Sequence, residues 1–484
     1  MKKFFMRILC VVLSLVLGFT VSFALSFYDT RNDNFEIKTS VISEDEICLN
    51  EKVFSMKSEG NYEFLNEKYV VSDNIKFTVN QKCDWFNYYG IKYISDAFLK
   101  GTIVYKDALS RNVSEDFFLE PSETEKDFFS FIDTYLKKNK ASKIVSVEFK
   151  PLNKEKAEFR ILGLSTFNRD IFDREVYLST SEYKIGVDLL WGGALSYMED
   201  LNSDVEAIKK DGRIFVDSNA SERYGEKVVN GNVNLINRYD TGRLVQQSYY
   251  GTYGDGDDYE SGEYMGNRWS YNPVQGGNRF NDSSKIVDLR LTDNSIYIKC
   301  RPMDWAKSKE YITPSYMEAT YTIVNSALHV ECRYVDFSGY NSRYSTQELP
   351  AFYCIEPFNR FVYYDGDNPW TDEDNIKCEP KLIFWPDAGY PNFTSKECWS
   401  AFTGEFDDSF GIGLYVPGRE NFLSGVFNRE TTTNIDPSRD PATSYIALVE
   451  VHLFESFNPF SYDYYIATGD TNEIRNTFKN IALG

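Results

Sequence analysis

Histidine is almost absent from this sequence, since His329 and His452 are the only two in 484 residues. Zinc sites and many acid–base catalysts depend on imidazole side chains. The cysteines show no C-x-x-C spacing, which also argues against a zinc site. Little room therefore remains for histidine-based catalysis or for histidine metal sites.

Cysteines are also few. The chain has eight, and Cys10 lies in an N-terminal apolar segment. The other seven are Cys48, Cys83, Cys300, Cys332, Cys354, Cys378 and Cys398. An odd number predicts at least one free thiol or an intermolecular disulfide. An oxidising compartment would allow one or two internal disulfides, and the sequence leaves their pairing open.

Positive charge is scarce relative to negative charge. The chain has 52 lysines and arginines against 73 aspartates and glutamates, which gives a net charge of −21. Such a surface repels phosphate backbones, so nucleic acid is not expected as a partner. A polyanionic glycan would need a local basic patch.

Long apolar runs are confined to the N-terminus. Lys2, Lys3 and Arg7 precede the apolar residues 8–21, and a small-residue exit ends at Ala24. This is the pattern of a secretory signal peptide, so we expect cleavage after Ala24 and a secreted protein, extracellular or periplasmic. The alternative is an uncleaved anchor. No later stretch is long and apolar enough for a transmembrane segment.

The rest of the chain shows short runs of β-branched and aromatic residues between turns, without alternating helices. This pattern predicts an all-β protein with few helices. Beyond the signal peptide (residues 1–24), we expect an acidic leader (25–50), a small N-terminal β-sandwich domain (51–175) and a large antiparallel β-sandwich domain (176–484). The length is consistent with at least two domains.

Two segments have helical features. In residues 125–136, Phe128, Ile132 and Leu136 follow an i, i+4, i+8 spacing, which predicts a helix inserted in the N-terminal sandwich. Near the end of the chain, Asp470 and Glu473 stand three residues apart, as in a capping box, and predict a short terminal helix.

Three predicted strands, 295–301, 318–324 and 327–334, can be read face by face because side chains alternate along a strand. If they form a meander, one face is apolar and the other gathers six ionisable groups, which makes it either a solvated exterior or the floor of a polar cleft. Those six are Lys299, Arg301, Glu318, His329, Glu331 and Arg333. In such a meander Cys300 and Cys332 lie two strand spacings apart, beyond disulfide reach.

Residues 234–277 mix planar hydrogen-bonding side chains with tyrosine and tryptophan. Amide and guanidinium groups can bridge neighbouring sugar hydroxyls, and aromatic faces can cover the apolar side of a pyranose. The segment therefore favours a sugar-binding site. The alternative is a set of turns and a polar sheet face.

The second domain resembles galactose-mutarotase-like domains, in residues 192–198 followed by 234–247. Aldose epimerases of that group carry Gly-Arg-x-x-Asn-Arg, in which Arg and Asn contact the sugar. The corresponding run here implies that Arg243 takes the Arg role and Gln246 the Asn role. Gln247 replaces the second Arg, and no Asn-His motif follows. The resemblance implies a β-supersandwich and sugar binding more than epimerase chemistry.

Three sugar chemistries stay open: a glycoside hydrolase, a polysaccharide lyase or a sugar epimerase. Hydrolysis needs two carboxyl groups, elimination needs a base such as Tyr or His, and epimerisation needs an acid and a base. The candidate catalytic residues are His329, Glu318 and Tyr250. The candidate substrate-binding residues are Asn234, Asp240, Arg243, Gln246, Gln247, Asn272, Gln275, Arg301 and Trp305.

The sequence as a whole predicts a secreted carbohydrate-active protein that binds and processes a glycan in a cleft of the C-terminal β-sandwich. The first alternative is a non-catalytic glycan-binding or surface adhesion protein with the same cleft. A purely structural exported protein is a further alternative, for which no glycan should shift the melting temperature.

The Gly-rich acidic loop at residues 254–263 offers hard oxygen ligands of the kind that Ca²⁺ takes, from Asp255, Asp257 and Asp258. We expect either no cofactor or calcium at this loop. If calcium is bound there, a chelator should lower the melting temperature, because the ion stabilises only the folded state. Thermal unfolding with and without chelator checks this. An unchanged melting temperature would make the loop a solvated turn.

Overall fold

The structure is a computed structural model, and it describes most of the chain from residue 56 onwards. The described residues are 56–79, 85–132, 140–169, 173–218, 232–254, 259–308, 311–371, 374–383, 389, 391–404, 409–427 and 432–484. The predicted signal peptide and acidic leader lie outside them. Within these ranges, no helix has the length and apolarity that a membrane-spanning helix requires.

The N-terminal strands form one antiparallel eight-stranded sheet in the order β5-β4-β7-β2-β8-β3-β6, with β1 paired to β2. The strands are β1 (Met56–Leu65), β2 (Lys68–Val79), β3 (Tyr88–Ser95), β4 (Leu99–Lys106), β5 (Asn112–Leu119), β6 (Ser122–Phe131), β7 (Lys143–Pro151) and β8 (Ala157–Phe167). The sheet curls over its own apolar face. Phe117 of β5 and Phe128 of β6, from opposite ends of the strand order, stack with ring centroids 5.3 Å apart.

The predicted helix at residues 125–136 is wrong. Residues 122–131 are strand β6, paired with β3 so that Phe128 lies opposite Ile91 and Phe131 opposite Tyr88. An i, i+4 spacing is an even spacing, so it places side chains on one face of a strand as well as of a helix. Pairing with β3 satisfies the backbone of β6. Leu136 lies outside the described residues.

The later strands form two large antiparallel sheets. The ten-stranded sheet has the order β26-β29-β30-β23-β14-β11-β10-β9, with β17 paired to β14 and β20. Its strands are β9 (Glu175–Ser179), β10 (Tyr183–Asp188), β11 (Ala194–Asp200), β14 (Val245–Ser248), β17 (Pro273–Val274), β20 (Met303–Asp304), β23 (Arg343–Ile355), β26 (Asn392–Thr394), β29 (Asn421–Phe427) and β30 (Thr443–Phe454).

The nine-stranded sheet has the order β18-β19-β21-β22-β31-β28-β27-β24-β25. Its strands are β18 (Lys285–Leu291), β19 (Ser295–Arg301), β21 (Ser315–Val324), β22 (Ala327–Asp336), β24 (Phe358–Tyr364), β25 (Ile376–Pro380), β27 (Trp399–Gly404), β28 (Gly411–Tyr415) and β31 (Phe460–Gly469). Two hairpins stand apart, β12 (Val205–Lys210) with β13 (Arg213–Ser218), and β15 (Gly262–Tyr264) with β16 (Asn267–Trp269). The helix α1 (Thr471–Leu483) follows, with the predicted capping box of Asp470 and Glu473.

One apolar core joins the two large sheets. It contains Val187, Phe352 and Leu448 of the ten-stranded sheet together with Ile298, Val330 and Ile466 of the nine-stranded sheet, all nearly inaccessible to solvent. These residues occupy alternate strand positions, as expected for a face that packs on another sheet. The predicted all-β fold with a large antiparallel sandwich is confirmed. The division after residue 175 falls at the first residue of β9 and stays a prediction.

The predicted meander of β19, β21 and β22 is present. Cys300 lies opposite Met317 and Cys332 opposite Ala319, so β21 separates the two thiols. All described cysteines are free: Cys300, Cys332, Cys354, Cys378 and Cys398. The internal disulfides that the sequence allows are therefore not formed among these five, while Cys48 and Cys83 lie outside the described residues.

One part of the polar face of the meander is covered by another sheet, and the other part is exposed to solvent. The covered part is neither a cleft nor a solvated exterior. Part of it is covered by the eight-stranded sheet, where the Arg333 guanidinium bonds Glu120 at 3.0 Å and Glu318 at 3.1 Å. Arg301 donates to the Asp116 carbonyl at 2.9 Å. Beyond the covered part, Glu331 is exposed. The covered charges therefore belong to an internal sheet–sheet interface.

Apolar residues accompany these charges. The core of the eight-stranded sheet also includes Val287, Tyr316, Val335 and Phe337, which come from β18, β21, β22 and the residue after β22. The Tyr316 hydroxyl accepts a hydrogen bond from the Phe118 backbone at 2.8 Å. The N-terminal sheet is thus packed on the nine-stranded sheet by both apolar and charged contacts.

Glu318 provides a test of this interface. Burial by itself would raise the pKa of its carboxyl, but Lys299 and Arg333 outweigh that effect and lower the pKa to about 2 from an ordinary 4.5. The folded state has the lower pKa, so this stabilisation is complete above pH 4.5 and is lost as the pH falls towards 2. We expect Glu318→Gln to remove that pH dependence and to cost about 3 kcal/mol at pH 7.

Urea unfolding between pH 2 and pH 7 measures both effects. Glu331→Gln is the matched control, because Glu331 lies on the same strand face and is exposed. Equal unfolding free energies for the two variants across this pH range would show that the Glu318 ion pairs do not stabilise the interface.

Candidate functional site

The outer face of the ten-stranded sheet, the face turned away from the nine-stranded sheet, carries an aromatic group around one carboxylate. Tyr353 of β23 lies opposite Tyr445 of β30, and Ala351 lies opposite Ala447. Their chain neighbours, such as Phe352, point into the core between the sheets. Alternation along the two strands therefore places both tyrosines on the outer face.

Glu348 reaches the same face through an irregularity in β23. The register shifts between Glu348 and Ala351, which are three residues apart and would otherwise point to opposite faces. Glu348 pairs with Val449 on one side and with Ser248 on the other. The bulge thus adds a carboxylate to an otherwise aromatic and small-residue surface.

Tyrosine hydroxyls surround the Glu348 carboxylate. Tyr445 Oη donates to Glu348 Oε1 at 2.6 Å. Burial raises the pKa of Glu348, and hydrogen bonds from Tyr445, Ser248 and Tyr250 partly offset this rise. A carboxyl group with a raised pKa keeps its proton to higher pH than an exposed glutamate does. Such a group can act as a general acid and, after losing the proton, as a base.

The rings beside Glu348 form a partly accessible aromatic floor. The Tyr353 and Tyr445 centroids are 4.5 Å apart, and Phe427 lies 6.4 Å from Tyr445. Tyr353 and Phe427 are partly exposed, whereas Tyr445 is buried beneath them. Aromatic rings next to a titratable carboxyl suit a sugar ring, which has an apolar C–H face and polar edges.

Tyr250, predicted to be catalytic, lies at this site. Burial raises the pKa of its phenol well above the ordinary value, and the nearby charge of Glu348 adds to the rise. The phenol is therefore protonated at neutral pH and acts as a hydrogen-bond donor. Its ring stands 6.4 Å from that of Trp269 in an edge-to-face arrangement.

Arg243 is held by Asp240, and both were predicted to bind substrate. The Asp240 carboxylate accepts from the backbone N–H groups of Gly242 and Arg243 at 3.0 and 3.1 Å and from the Arg243 guanidinium at 2.7 Å. A second guanidinium nitrogen donates to the Pro441 carbonyl at 3.0 Å. The charges of Arg243 and Asp240 both act on the Tyr353 phenol. Arg243 therefore borders the site, with two of its nitrogens already bonded.

Five predicted sugar-binding amides instead form a buried framework under the site: Asn234, Gln246, Gln247, Asn272 and Gln275. Gln246 donates to the carbonyls of Thr241 and Arg243 and accepts from the Gly276 N–H, so it fixes the turn that presents Arg243. Asn272 accepts from the Trp269 indole at 3.0 Å and so orients that ring. These amides support the backbone and the rings around the site, and their predicted role as sugar ligands stays a prediction.

The remaining three amides also hydrogen-bond backbone groups. Asn234 accepts from the Met198 N–H, Gln247 donates to the Glu318 carbonyl at 2.9 Å, and Gln275 donates to the Gly192 carbonyl. A buried amide without partners would be costly, so each of these side chains bonds a backbone group: that of Met198 in β11, Glu318 in β21 or Gly192 just before β11.

His329, Glu318 and Arg301 do not reach the outer face. All three lie on the nine-stranded sheet. His329 Nε2 is 3.1 Å from Asp463 Oδ2, and its ring stacks on Tyr465 at 4.3 Å. His329 thus lies on the nine-stranded sheet, whereas Arg243, Gln247, Tyr250 and Gln275 lie in or beside strands β14 and β17 of the ten-stranded sheet. Of these five, Arg243 and Tyr250 border the site.

The predicted calcium ligands Asp255, Asp257 and Asp258 lie outside the described residues, so calcium binding there stays a prediction. Within the described ranges, no group of three or more His, Cys, Asp or Glu side chains is arranged to hold a metal ion. Trp305 is placed at the rim. A Cβ atom at Gly242 would lie 2.6 Å from its ring, so the indole packs against the Asp240–Arg243 turn.

No protein-family model matches the sequence, and no curated protein matches it. Solved structures do match, among them a galactose mutarotase-like protein from Lactobacillus casei, with 9% identity and a TM-score of 0.36 over 61% of this chain and 99% of that one. A galactose mutarotase related enzyme from Lactobacillus acidophilus has 10% identity and a TM-score of 0.31 over 62% and 99%.

A third match is an α-galactosidase of Geobacillus stearothermophilus, with 10% identity and a TM-score of 0.33 over 63% of this chain and 42% of that one. The matches thus include the mutarotase-like proteins that the sequence resembles. Their low TM-scores and identities describe a distant likeness of fold.

Arg243 now has a defined structural role. Lysine cannot bond Asp240 and the Pro441 carbonyl in the same planar arrangement. We therefore expect Arg243→Lys to destabilise the protein by about 1 to 2 kcal/mol, because a charge-assisted pair is weakened at a partly buried turn. Thermal unfolding measures this. Arg279→Lys is the control, since Arg279 is exposed. An unchanged melting temperature for Arg243→Lys would remove the structural role.

Proposed function

We propose that this protein is a secreted carbohydrate-active protein that binds a sugar on the outer face of the ten-stranded sheet, with Glu348 as its acid–base group. The observation that carries the proposal is the half-buried residue Glu348, whose carboxyl is bonded by Tyr445 and lies beside the Tyr353 ring. Export follows from the predicted signal peptide.

The pieces suit a pyranose in a specific way. Tyr353 and Phe427 offer apolar ring surface to the C–H face of the sugar. Glu348, Ser248 and Tyr250 provide donors and acceptors at one edge. Arg243 stands at the other side, beside Tyr353, where its fixed guanidinium limits the orientations that the sugar adopts. Binding would therefore be directional as well as apolar.

Acid–base chemistry at Glu348 follows from its environment. A protonated carboxyl donates its proton to a ring oxygen in epimerisation or to a bridging oxygen in glycoside hydrolysis. The phenols of Tyr250 and Tyr445 keep their protons, because burial raises the pKa of both. Burial raises the pKa of the Glu348 carboxyl above that of an exposed glutamate, so Glu348 is the group at this site to which we assign proton transfer.

One observation favours the alternative of binding without chemistry. Hydrolysis needs a second carboxyl group beside the scissile bond. Asp240 borders the site, but its oxygens are bonded by Arg243 and by two backbone N–H groups. A non-catalytic glycan-binding protein would use the same floor and the same Glu348 hydrogen bonds.

The test begins with the mature protein, whose N-terminal sequence checks the predicted cleavage after Ala24. A panel of neutral and uronic-acid glycans is screened for a rise in melting temperature, and each ligand is then assayed for reducing ends, unsaturated uronate and anomeric equilibration. We expect Glu348→Gln to lower turnover by at least about 100-fold while sugar binding persists, because the amide cannot transfer a proton.

Glu331→Gln, on the nine-stranded sheet, is the matched control and should keep full turnover. Sugar binding without any product in the wild-type protein would select the non-catalytic alternative. If no glycan raises the melting temperature of the wild-type protein, the sugar-binding function itself is rejected.

A further inference from the structure

A second aromatic group continues outward from the Glu348 site. We call it the outer wall and define it by Tyr264, Trp305, Arg279 and Phe280. Trp269 joins it to the site, because its ring is 6.4 Å from Tyr250 and 5.2 Å from Tyr264. Tyr264 then lies 6.3 Å from Trp305. The ring contacts are unbroken from the carboxylate to the rim.

The wall becomes more accessible with distance from Glu348. Tyr264 and Trp305 are partly exposed, and Phe280 is 48% exposed. Two further apolar side chains stand near it: Met265, at the tip of the β15–β16 hairpin, is 60% exposed, and Tyr239 is 49% exposed. A contiguous group of exposed apolar side chains marks a binding surface more often than chance exposure.

Arg279 adds a polar group to the wall. Its guanidinium carbon lies 4.1 Å from the Phe280 ring centroid and 6.0 Å from that of Tyr264. Its backbone N–H donates to the Trp305 carbonyl at 3.0 Å. Among the described residues, no carboxylate forms an ion pair with this guanidinium, although the net charge of the chain is −21. Its donors are therefore available to a ligand.

The wall is fixed relative to the first site. Gly242 has no side chain, and a Cβ atom there would lie 2.6 Å from the Trp305 ring. Trp305 can thus pack directly against the turn that carries Arg243. The wall and the Glu348 site share this turn, so a ligand that fills one site lies next to the other.

We propose that the outer wall is a second sugar subsite, so that the ligand is an oligosaccharide rather than a monosaccharide. This proposal rests on the proposed function of the Glu348 site. A sugar unit places its C–H face on an aromatic ring of the wall, and its hydroxyl or carboxylate oxygens accept hydrogen bonds from Arg279.

The arrangement fits a sugar better than a protein partner. The rings meet edge to face, with an interplanar angle of 76° between Tyr264 and Trp269 and 66° between Tyr264 and Trp305. Such rings form a stepped surface that follows successive units of a twisted chain, whereas a protein hot spot needs a buried, well-packed pocket. The exposed guanidinium supplies the directional contact that sugar recognition requires.

The experiment compares ligands of different length. Galactose, galacturonic acid and their di- and tetrasaccharides, together with cello- and xylo-oligosaccharides of the same lengths, are titrated calorimetrically into the mature protein. We expect the wild-type protein to bind a tetrasaccharide at least tenfold more tightly than the monosaccharide. The double variant Tyr264→Ala/Phe280→Ala should lose that gain and keep its monosaccharide affinity.

Arg279→Gln separates the two ligand chemistries. A loss confined to galacturonate oligosaccharides shows that Arg279 binds a carboxylate, and an equal loss for neutral ones shows that it binds hydroxyls. Trp85→Ala is the matched control, because Trp85 is a half-exposed aromatic residue beside the eight-stranded sheet. Melting temperatures of all variants show whether they are folded.

Three outcomes oppose the subsite in different ways. Equal affinity for one and four sugar units in the wild-type protein rejects it while the Glu348 site stands. Equal loss of mono- and tetrasaccharide binding in the double variant makes the wall part of the first site and also rejects it. Failure of every sugar to bind rejects the proposed function as well.

Discussion

The apolar contact between the ten-stranded and nine-stranded sheets decides what every strand near the site can present. Phe352, Ile446 and Leu448 are committed to that contact. Because side chains alternate, the intervening positions must point outward, and Tyr353 and Tyr445 occupy them. A slip of one residue in β23 would exchange these sets and bury a carboxylate in hydrocarbon. Core packing therefore fixes which side chains the site can contain.

The amide side chains close to the site were predicted to bind sugar, and in the structure they hydrogen-bond the backbone around it. Residues 232–244 before β14 and the segment after β14 have few strand partners, so their backbone groups need side-chain hydrogen bonds. Gln246, Asn272 and Gln275 supply them. These amides bond backbone carbonyls or N–H groups and so hold the segments on both sides of β14 in place. The stretch 234–277 marks the neighbourhood of the site because a rigid support is needed there.

Sequence patterns predicted the features that depend on local periodicity. They did not predict the features that depend on contacts between distant parts of the chain. Alternation revealed the meander of β19, β21 and β22, and the spacing of Asp470 and Glu473 revealed the start of α1. The four-residue spacing of Phe128 and Ile132 led to a wrong helix prediction. Four residues are two strand repeats and also nearly one helical turn, so the spacing fits both structures. An odd spacing such as i, i+3 between apolar residues distinguishes a helix from a strand, whereas an even spacing does not.

The acid–base candidate was beyond the reach of such patterns. Glu348 faces outward because of a bulge, which no alternation predicts, and its partner Tyr445 comes 97 residues later. Among 73 acidic residues a single glutamate has no distinguishing neighbour in the chain. Likewise, the charged side of the meander looked like a surface because its cover, the eight-stranded sheet, is built from a separate part of the chain.

The eight-stranded N-terminal sheet covers the charged face of the meander, and it packs there as a tethered subunit would. Its contact with the nine-stranded sheet mixes Tyr316 and Phe337 with charged groups such as Arg333, much as an interface between two proteins does. Between separate molecules such a contact would have to overcome the entropy of association at every encounter. Here the peptide linkage between β8 and β9 keeps the local concentration of the partner high. The two halves are therefore interdependent, and either half made alone would carry an uncovered, partly charged surface that its own fold cannot bury.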